Sequence, residues 1–535
     1  MAQITTRPSP LACRACREKH LKCDALTPMY PQDSRGRIRV PGVALTQASK
    51  AFVHVVDFVQ YTFGTVDCQQ ASTPRSSASS SPSSLRSEDE HLINLYYANF
   101  HPHHPMLVPR SRYQNQNYPE YLQMVMKFIG SQYAPNISSD TIRSMAAESL
   151  AGSSTRKTPE MVQASLLYSM SLHARYEPME AMTAISKAAD TAIELRMYET
   201  DFAIQHGHGD SVYEESLRRT WWELYIADGY LASLHRQTSF KSNSVEITTL
   251  LPCDDEAYDN CTIPSQSFSL ENYDGRLFAD EDWQFSSAAY RIDAIRILAR
   301  VIAVSSANEV HADSIQSIDN AMASWKFHIP NDKAGVVLRS GEVDQMMFQA
   351  FLFIYISNIF LHFPRSELPI TMPASAEIAC ARRHMEQVSP TSSQHAAKAL
   401  SASKELANLA SLPGERYSPF FICGLVFACV VQLSACSAYP KATTEPNRER
   451  VALILGVLKS LSRNWSIAQY VSQQLKKAAH EIFHPRPETA SVQSAASYDS
   501  GIDMSGFAPD MSWFDMFYSD GMQGLAMGAG ELTGI

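Results

Sequence analysis

The sequence lacks the short motifs that mark common enzyme classes. Its 535 residues contain no Gly-x-Ser-x-Gly, no Walker phosphate loop, no dinucleotide glycine fingerprint and no His-Glu-x-x-His. Glycine is also scarce, at 21 residues, so a glycine-rich loop that cradles a nucleotide is not expected. We therefore predict that the protein is not an enzyme, and an all-α enzyme stays as an alternative.

Cysteine is sparse, and the N-terminus has no secretory signal. Ten cysteines are too few for a disulfide scaffold, which favours an intracellular, reducing compartment. The first ten residues contain no apolar core of the kind that a signal peptide needs. Two apolar stretches, Met346–Phe363 and Phe420–Cys436, approach the roughly 20 residues that a membrane span requires, but both contain polar residues. We predict buried core helices and no membrane partner, with membrane spans as the alternative.

Charge is distributed unevenly along the chain. The net charge of −10, taken as a single number, argues against a nucleic-acid partner. However, residues 1–41 carry +5, whereas residues 487–535 contain no Lys or Arg and carry −7. A basic head of this kind suits the phosphate backbone of DNA, so the distribution reverses the first inference.

The composition divides the chain into four regions. Residues 1–41 are basic, residues 42–87 are irregular and end in a serine-rich linker, residues 88–485 show helical periodicity, and residues 486–535 form an acidic tail with aromatic residues. Serine makes up nine of residues 71–87, a composition with little to bury, and we expect both the linker and the tail to be disordered. The predicted fold class is mostly α, with one large all-helical domain.

Local signals place the helices of that domain. Ser87, followed by three acidic residues, is typical of a helix start, and so is Thr158 before Pro159. Apolar spacing with a helical period predicts further helices, and no fixed-period repeat is evident. These helices are predicted over residues 179–197, 211–235, 285–308, 343–363, 399–411, 418–437, 448–463 and 466–483.

Three cysteines near the N-terminus have the spacing of metal ligands. Cys13-x2-Cys16 lets two thiolates reach one zinc ion with tetrahedral geometry, and Cys23 is close enough to join them. The residues between Cys16 and Cys23 are mostly basic and could meet phosphates and base edges in a major groove. Three free cysteines on a basic, unfolded arm are the alternative.

Residues 12–24, Ala-Cys-Arg-Ala-Cys-Arg-Glu-Lys-His-Leu-Lys-Cys-Asp, resemble the first half of the fungal binuclear zinc-cluster DNA-binding domain. In that family six cysteines hold two zinc ions. The resemblance implies that the three cysteines are zinc ligands and that the segment enters the major groove of double-stranded DNA at CGG-like triplets. Family members usually have a basic residue where this chain has His20. The side chains implied to contact DNA are Arg14, Arg17, Lys19, His20, Lys22, Arg35 and Arg37.

The second cysteine trio of that family is missing. The next cysteine after Cys23 is Cys68, although Tyr30 and the basic run at 34–37 resemble the family's exit from the cluster. A segment with three cysteines is absent between Pro28 and Tyr30, through either a real deletion or a misplaced splice junction. Three thiolates cannot fill two tetrahedral zinc sites, and one zinc ion with an additional donor is an open alternative. Because zinc supplies the folding energy of so small a module, we predict that DNA binding is weakened or absent.

The helical region carries a second resemblance. Residues 95–108, Glu215–Asp228 with its Arg-Arg-x-Trp-Trp motif, and 250–254 resemble the regulatory middle homology domain of fungal transcription factors. The resemblance covers about residues 90–365 and implies an all-helical regulatory domain.

The residues of that motif are interpreted as mainly structural. Helical spacing places Trp221 and Tyr225 in the core, and we expect Arg218, Arg219 and Glu223 to form buried or half-buried ion pairs. Contact with a ligand is the alternative. Two clusters of histidines are interpreted as turns rather than metal sites: His101, His103 and His104, and the pair His206 and His208.

The tail combines acidic and aromatic residues in a way that is typical of a disordered segment folding onto a partner. An ordinary acidic tail is the alternative. The candidate activation segment within residues 510–520 consists of Trp513, Phe514, Asp515, Phe517 and Tyr518.

The two resemblances together imply a nuclear regulator of RNA polymerase II transcription. The basic head would bind DNA, the helical domain would regulate, and the tail would recruit transcription coactivators as an activator does. Members of the family often control metabolic or secondary-metabolite gene clusters. The alternative is a regulator without its own DNA binding that acts through a partner or as a dominant-negative form. A homodimer is open, but no heptad run after the cluster supports a coiled coil.

Overall fold

The computed structural model describes residues 82–484, apart from residues 154, 281–282, 306–310, 374, 377, 382–383, 385–392, 413–416 and 440–443. These ranges contain seventeen α-helices and one isolated β-bridge, between Val337 and Val343, and no strand. The predicted fold class, mostly α, is therefore confirmed for the described part. The helices are α1 Pro82–Asn99, α2 Tyr113–Gln116, α3 Glu120–Ser131, α4 Ser139–Gly152, α5 Pro159–Ala174, α6 Pro178–Glu194, α7 Thr200–His206, α8 Ser211–Leu234, α9 Asp255–Asp259, α10 Leu270–Gly275, α11 Ser287–Ser305, α12 Ala312–Phe327, α13 Gln345–His362, α14 Ser393–Leu409, α15 Phe420–Ala438, α16 Thr444–Leu461 and α17 Ser466–Phe483.

The capping signals are right at one predicted start and wrong at another. Thr158 caps α5: its hydroxyl oxygen accepts a hydrogen bond from the Met161 amide at 3.3 Å, and Pro159 occupies the first helical position. Ser87 is not a cap, because α1 already begins at Pro82. The acidic residues that follow Ser87 lie inside the helix rather than at its start.

Seven helices were not predicted from the sequence: α2, α3, α4, α7, α9, α10 and α12. Helix α3 does carry apolar residues at helical spacing, with Leu122, Val125 and Ile129 buried. In contrast, α9 and α10 have only five and six residues, too few for a period of 3.6 to stand out.

The two apolar stretches form α13 and α15 at the centre of the packing. Each is long and apolar enough to span a membrane, but 83% and 94% of their apolar windows are buried within the structure. A methyl group on Gly424 of α15 would lie 2.4 Å from the Leu352 side chain of α13, so these helices approach each other closely. Both helices are buried among other helices, as the core interpretation predicted.

The predicted zinc cluster, the activation segment and the linker up to residue 81 lie outside the described residues. Residues 82–87, the end of the predicted disordered linker, instead belong to helix α1.

Candidate functional site: the buried ion-pair network of helix α8

The predicted metal, DNA-contact and activation residues all fall outside the described ranges, so their geometry stays a prediction. Within the ranges that the structure describes, no three His, Cys, Asp or Glu side chains are grouped so that they could hold a metal ion. Helix α8, which carries the Arg-Arg-x-Trp-Trp motif, does lie within the described residues.

Helix α8 is buried around its whole circumference. Asp210 caps it by accepting a hydrogen bond from the Val212 amide at 3.0 Å, and 22 of its 24 residues are buried. Trp221 and Tyr225 lie in the core, which confirms the prediction. The neighbouring Trp222 is also buried and donates from Nε1 to the Leu250 carbonyl at 2.8 Å. Because the helix is buried on every side, its buried residues are not confined to one apolar stripe.

Glu215 binds both arginines of the motif. Its Oε2 accepts from Arg218 Nε and its Oε1 from Arg219 Nε, each at 2.9 Å, and the Cys253 amide donates to the same Oε1 at 2.9 Å. All three charged side chains are at most 9% exposed. The predicted buried ion pairs of Arg218 and Arg219 are therefore confirmed, with Glu215 as the partner.

Arg219 also ties α8 to the segment that follows residue 250. Its guanidinium donates to Asp255 Oδ1 at 2.6 Å and to the Cys253 carbonyl at 2.7 Å, and lies over the Tyr258 ring at 4.2 Å. The fixed fork of an arginine suits several acceptors in one plane. One side chain thus fixes the position of α9 against α8.

Glu223 forms a second buried cluster one turn further along. Arg291 of α11 donates two hydrogen bonds to its carboxylate, Nη1 to Oε2 at 2.7 Å and Nη2 to Oε1 at 2.6 Å. His104 Nδ1 lies 2.5 Å from Glu223 Oε1, and His104 Nε2 lies 2.9 Å from Ser418 Oγ. Glu223 therefore joins α8, α11 and the turn after α1, and His104 extends the contact to Ser418, two residues before α15.

The protonation states follow from burial and the nearby arginine. Burial alone would raise the pKa of Glu223, but the Arg291 guanidinium and His104 lower it to about 2. Burial lowers the pKa of His104 despite the carboxylate beside it. The arrangement is thus an ionised Glu223 paired with Arg291, and a neutral His104 that donates from Nδ1 and accepts from Ser418.

The cavity at this cluster is too small for any ligand larger than a water molecule. The cavity between Arg219, Glu223, Arg291 and Met346 is about 20 Å³, which is enough for one water molecule. The geometry supports the structural interpretation of the motif over the ligand-contact alternative. The paired charges of the motif and their hydrogen bonds hold α8 against α9, α11, the turn after α1 and the residues before α15.

The histidines after α1 form the predicted helix-end turn. His101–His103 is a single turn of 3-10 helix, and its side chains have separate partners. His101 Nε2 lies 2.9 Å from the Leu107 carbonyl oxygen, and His103 Nδ1 lies 2.8 Å from Gln345 Oε1. They bind protein groups in three different directions and do not converge on a metal.

Sequence reasoning missed the partners rather than the motif. Glu215 stands three and four residues before the two arginines, a spacing that favours ion pairs on a helix and could have identified it. Arg291 and His104 are 68 and 119 residues from Glu223, and no sequence signal connects them.

Comparison with known proteins places the α8 motif within a wider match. Residues 93–333 match the fungal specific transcription factor domain. The chain is also similar to the C6 finger domain transcription factor iacK of Pestalotiopsis fici, with 31% identity over 424 residues. That match covers 77% of this chain and 62% of the relative, so the chain spans about three fifths of the relative's length. No solved structure matches.

Proposed function

We propose that the protein is a fungal transcription factor that regulates RNA polymerase II transcription by binding DNA at specific sites, because residues 93–333 match the fungal specific transcription factor domain. The observation that carries the proposal is the similarity over 424 residues to a C6 finger transcription factor. That relative's name refers to a cysteine finger, and this chain has Cys13, Cys16 and Cys23 at zinc-ligand spacing. On this proposal the protein works in the nucleus as a regulator and not as an enzyme.

The proposed DNA contact uses zinc held by the three cysteines, with the adjacent basic residues at a CGG-like triplet. Three thiolates fit one tetrahedral zinc ion that has one further donor, and they do not fit two. We expect full-length protein to bind at most one zinc ion per chain, measured by metal analysis after gel filtration. Two bound zinc ions would show that the cluster is complete in some other way.

DNA binding is tested by fluorescence anisotropy with a CGG-containing duplex and a scrambled duplex at several salt concentrations. Cys16→Ser should abolish the preference for the CGG duplex, whereas Cys68→Ser, outside the cluster, should preserve it. Non-specific binding through phosphates falls steeply with salt for both duplexes, so the difference between them is the informative quantity. Equal affinity for the two duplexes at every salt concentration would contradict specific recognition.

A second candidate function follows from the incomplete cysteine set. A regulator without its own DNA contact would keep the helical domain and act through a partner or as a dominant-negative form. The absence of any cysteine between Cys23 and Cys68 favours it. If purified protein fails to bind DNA but is recovered at a promoter in cells, this second function replaces the first.

We further propose that residues 510–520 recruit transcription coactivators and make the protein an activator, acting on a metabolic or secondary-metabolite gene cluster. Acidic residues keep the aromatic side chains solvated until a groove accepts them. A fusion of residues 487–535 to a foreign DNA-binding module should activate a reporter, and Trp513→Ala with Phe517→Ala should abolish the signal. Phe507→Ala, in the same tail but outside the segment, is the matched control. A silent fusion would remove the activator proposal.

A further inference from the structure

Two thiols from distant parts of the chain are in direct contact. Cys380 Sγ lies 3.2 Å from Cys423 Sγ, although the residues are 43 positions apart. Both are free cysteines in this structure. Cys423 belongs to α15, and Cys380 lies in a turn beyond α13, so chain folding alone brings the sulfurs together.

The two thiols differ in accessibility. Cys423 is fully buried, whereas Cys380 is only partly buried and lines a cavity of about 170 Å³ together with His173 and Ile467. One water molecule takes up roughly 30 Å³, so a molecule as small as hydrogen peroxide fits the cavity. An oxidant can therefore reach Cys380 first and does not have direct access to Cys423.

The surroundings also separate the roles of the two sulfurs. The hydrogen bond with Cys380, together with burial, holds the pKa of the Cys423 thiol well above its usual range. Cys423 therefore stays protonated in the reduced pair, in contact with the more accessible Cys380 sulfur. On the other side of Cys423, His173 Nε2 lies 3.5 Å from Sγ, and burial lowers the pKa of His173 to about 4. The His173 imidazole is therefore neutral and packs against the Cys423 sulfur.

We propose that Cys380 and Cys423 form a dithiol site that reacts with hydroperoxides and closes to a disulfide. The Cys380 sulfur loses its proton and attacks one oxygen of the O–O bond, which forms a sulfenic acid and breaks the O–O bond. The departing alkoxide, or hydroxide from hydrogen peroxide, takes up that proton and leaves as an alcohol or as water. Cys423 then attacks that sulfur, the proton that Cys423 loses joins the departing hydroxide, and water leaves. Two thiols and one hydroperoxide become one disulfide, one alcohol and one water. This proposal does not depend on DNA binding or on zinc.

The disulfide would tie a surface turn to the core. Ile378 is fully buried, and the Ala379 amide donates to Gln474 Oε1 of α17 at 2.9 Å, so the turn is already anchored beside α17. A bond from Cys380 to Cys423 would add a covalent link to α15. A cross-link over this length of chain restricts the unfolded state, so the oxidised protein should unfold at a higher urea concentration.

The test uses reduced, full-length protein treated with hydrogen peroxide, then alkylated and digested without reduction for mass spectrometry. We expect a peptide pair joined through Cys380 and Cys423, lighter than the free pair by two hydrogen atoms and separable with dithiothreitol. Cys436→Ser, on the same helix, should leave the cross-link unchanged. Cys423→Ala should instead leave a Cys380 sulfenic acid that a dimedone probe captures.

Wild-type protein alone decides the matter if a variant does not fold. The proposal is overturned if Cys380 and Cys423 are both recovered as free thiols under conditions that oxidise the half-buried Cys261. It is equally overturned if the joined peptides form only after urea has unfolded the chain. Faster formation in the native chain than in the unfolded chain supports it.

Discussion

Replacing Arg291 with methionine should destabilise the folded chain by about 3–5 kcal/mol. The side chains of Arg291 and Glu223 are only 2% and 5% exposed, and their two hydrogen bonds are 2.6 and 2.7 Å long. Methionine fills a similar volume but leaves the Glu223 carboxylate buried beside a neutral His104. The cost is that of an unpaired buried charge rather than of lost packing.

The lowered pKa of Glu223 gives a second estimate of how much the buried ion pair stabilises the folded chain. The pKa of Glu223 falls from an ordinary 4.5 to about 2. Since one pKa unit corresponds to about 1.4 kcal/mol, the ionised carboxylate contributes roughly 3 kcal/mol to the free energy of unfolding. Since the folded-state pKa is depressed, the contribution is present above pH 4.5 and is lost as the pH falls toward 2. The two estimates are of similar size, and Arg291 comes before His104 among the groups that lower this pKa.

Urea unfolding at neutral pH measures the effect, with a double-mutant cycle to isolate the pair. Glu223→Gln should also destabilise, because it strands the Arg291 charge. The double variant should be more stable than the two single losses added together, since neither charge remains. Arg300→Met, an exposed position on the same helix, is the matched control and should change stability by less than about 0.5 kcal/mol. Additive single effects, or a loss below about 1 kcal/mol for Arg291→Met, would refute the role of the pair.

Three further outcomes are expected. Gly130→Ala should destabilise the chain by well over 1 kcal/mol in urea unfolding, because the new methyl group would lie 2.0 Å from the Leu92 carbonyl oxygen; an unchanged midpoint would show that α1 and α3 can separate at little cost. Gly456→Ala, in helix α16 with nothing within 4 Å of the added group, should stabilise it by about 0.5–1 kcal/mol, and a loss there would contradict the open environment. Burial lowers the pKa of His101 and of His173 to about 4, so the unfolded chain binds more protons than the folded chain between pH 6.5 and 4. The free energy of unfolding should therefore decrease as the pH falls through that window, by up to about 1.4 kcal/mol per pH unit for each histidine. His173→Asn should reduce this slope, and a urea midpoint that does not change with pH would contradict the prediction.

The sequence by itself determined the features that depend on near neighbours along the chain. The fold class, the long helices such as α8 and α15, and the cap at Thr158 follow from spacings of three or four residues, and the structure confirms them. The Arg-Arg-x-Trp-Trp motif likewise predicted a buried helix without showing which side chains its charged residues contact. The three N-terminal cysteines, which the structure does not describe, rest on sequence spacing alone.

Only the tertiary structure decided which side chains meet. His104 comes from the turn after α1, Glu223 from α8 and Arg291 from α11, and they become partners only when the chain path brings these segments together. The contact between Cys380 and Cys423 has the same origin. Helical periodicity shows which face of a segment is buried, but it does not show which other segment packs against that face. Charges and thiols that pair across the core therefore produce no recognisable pattern in the local sequence. Which of them become partners depends on how the helices pack.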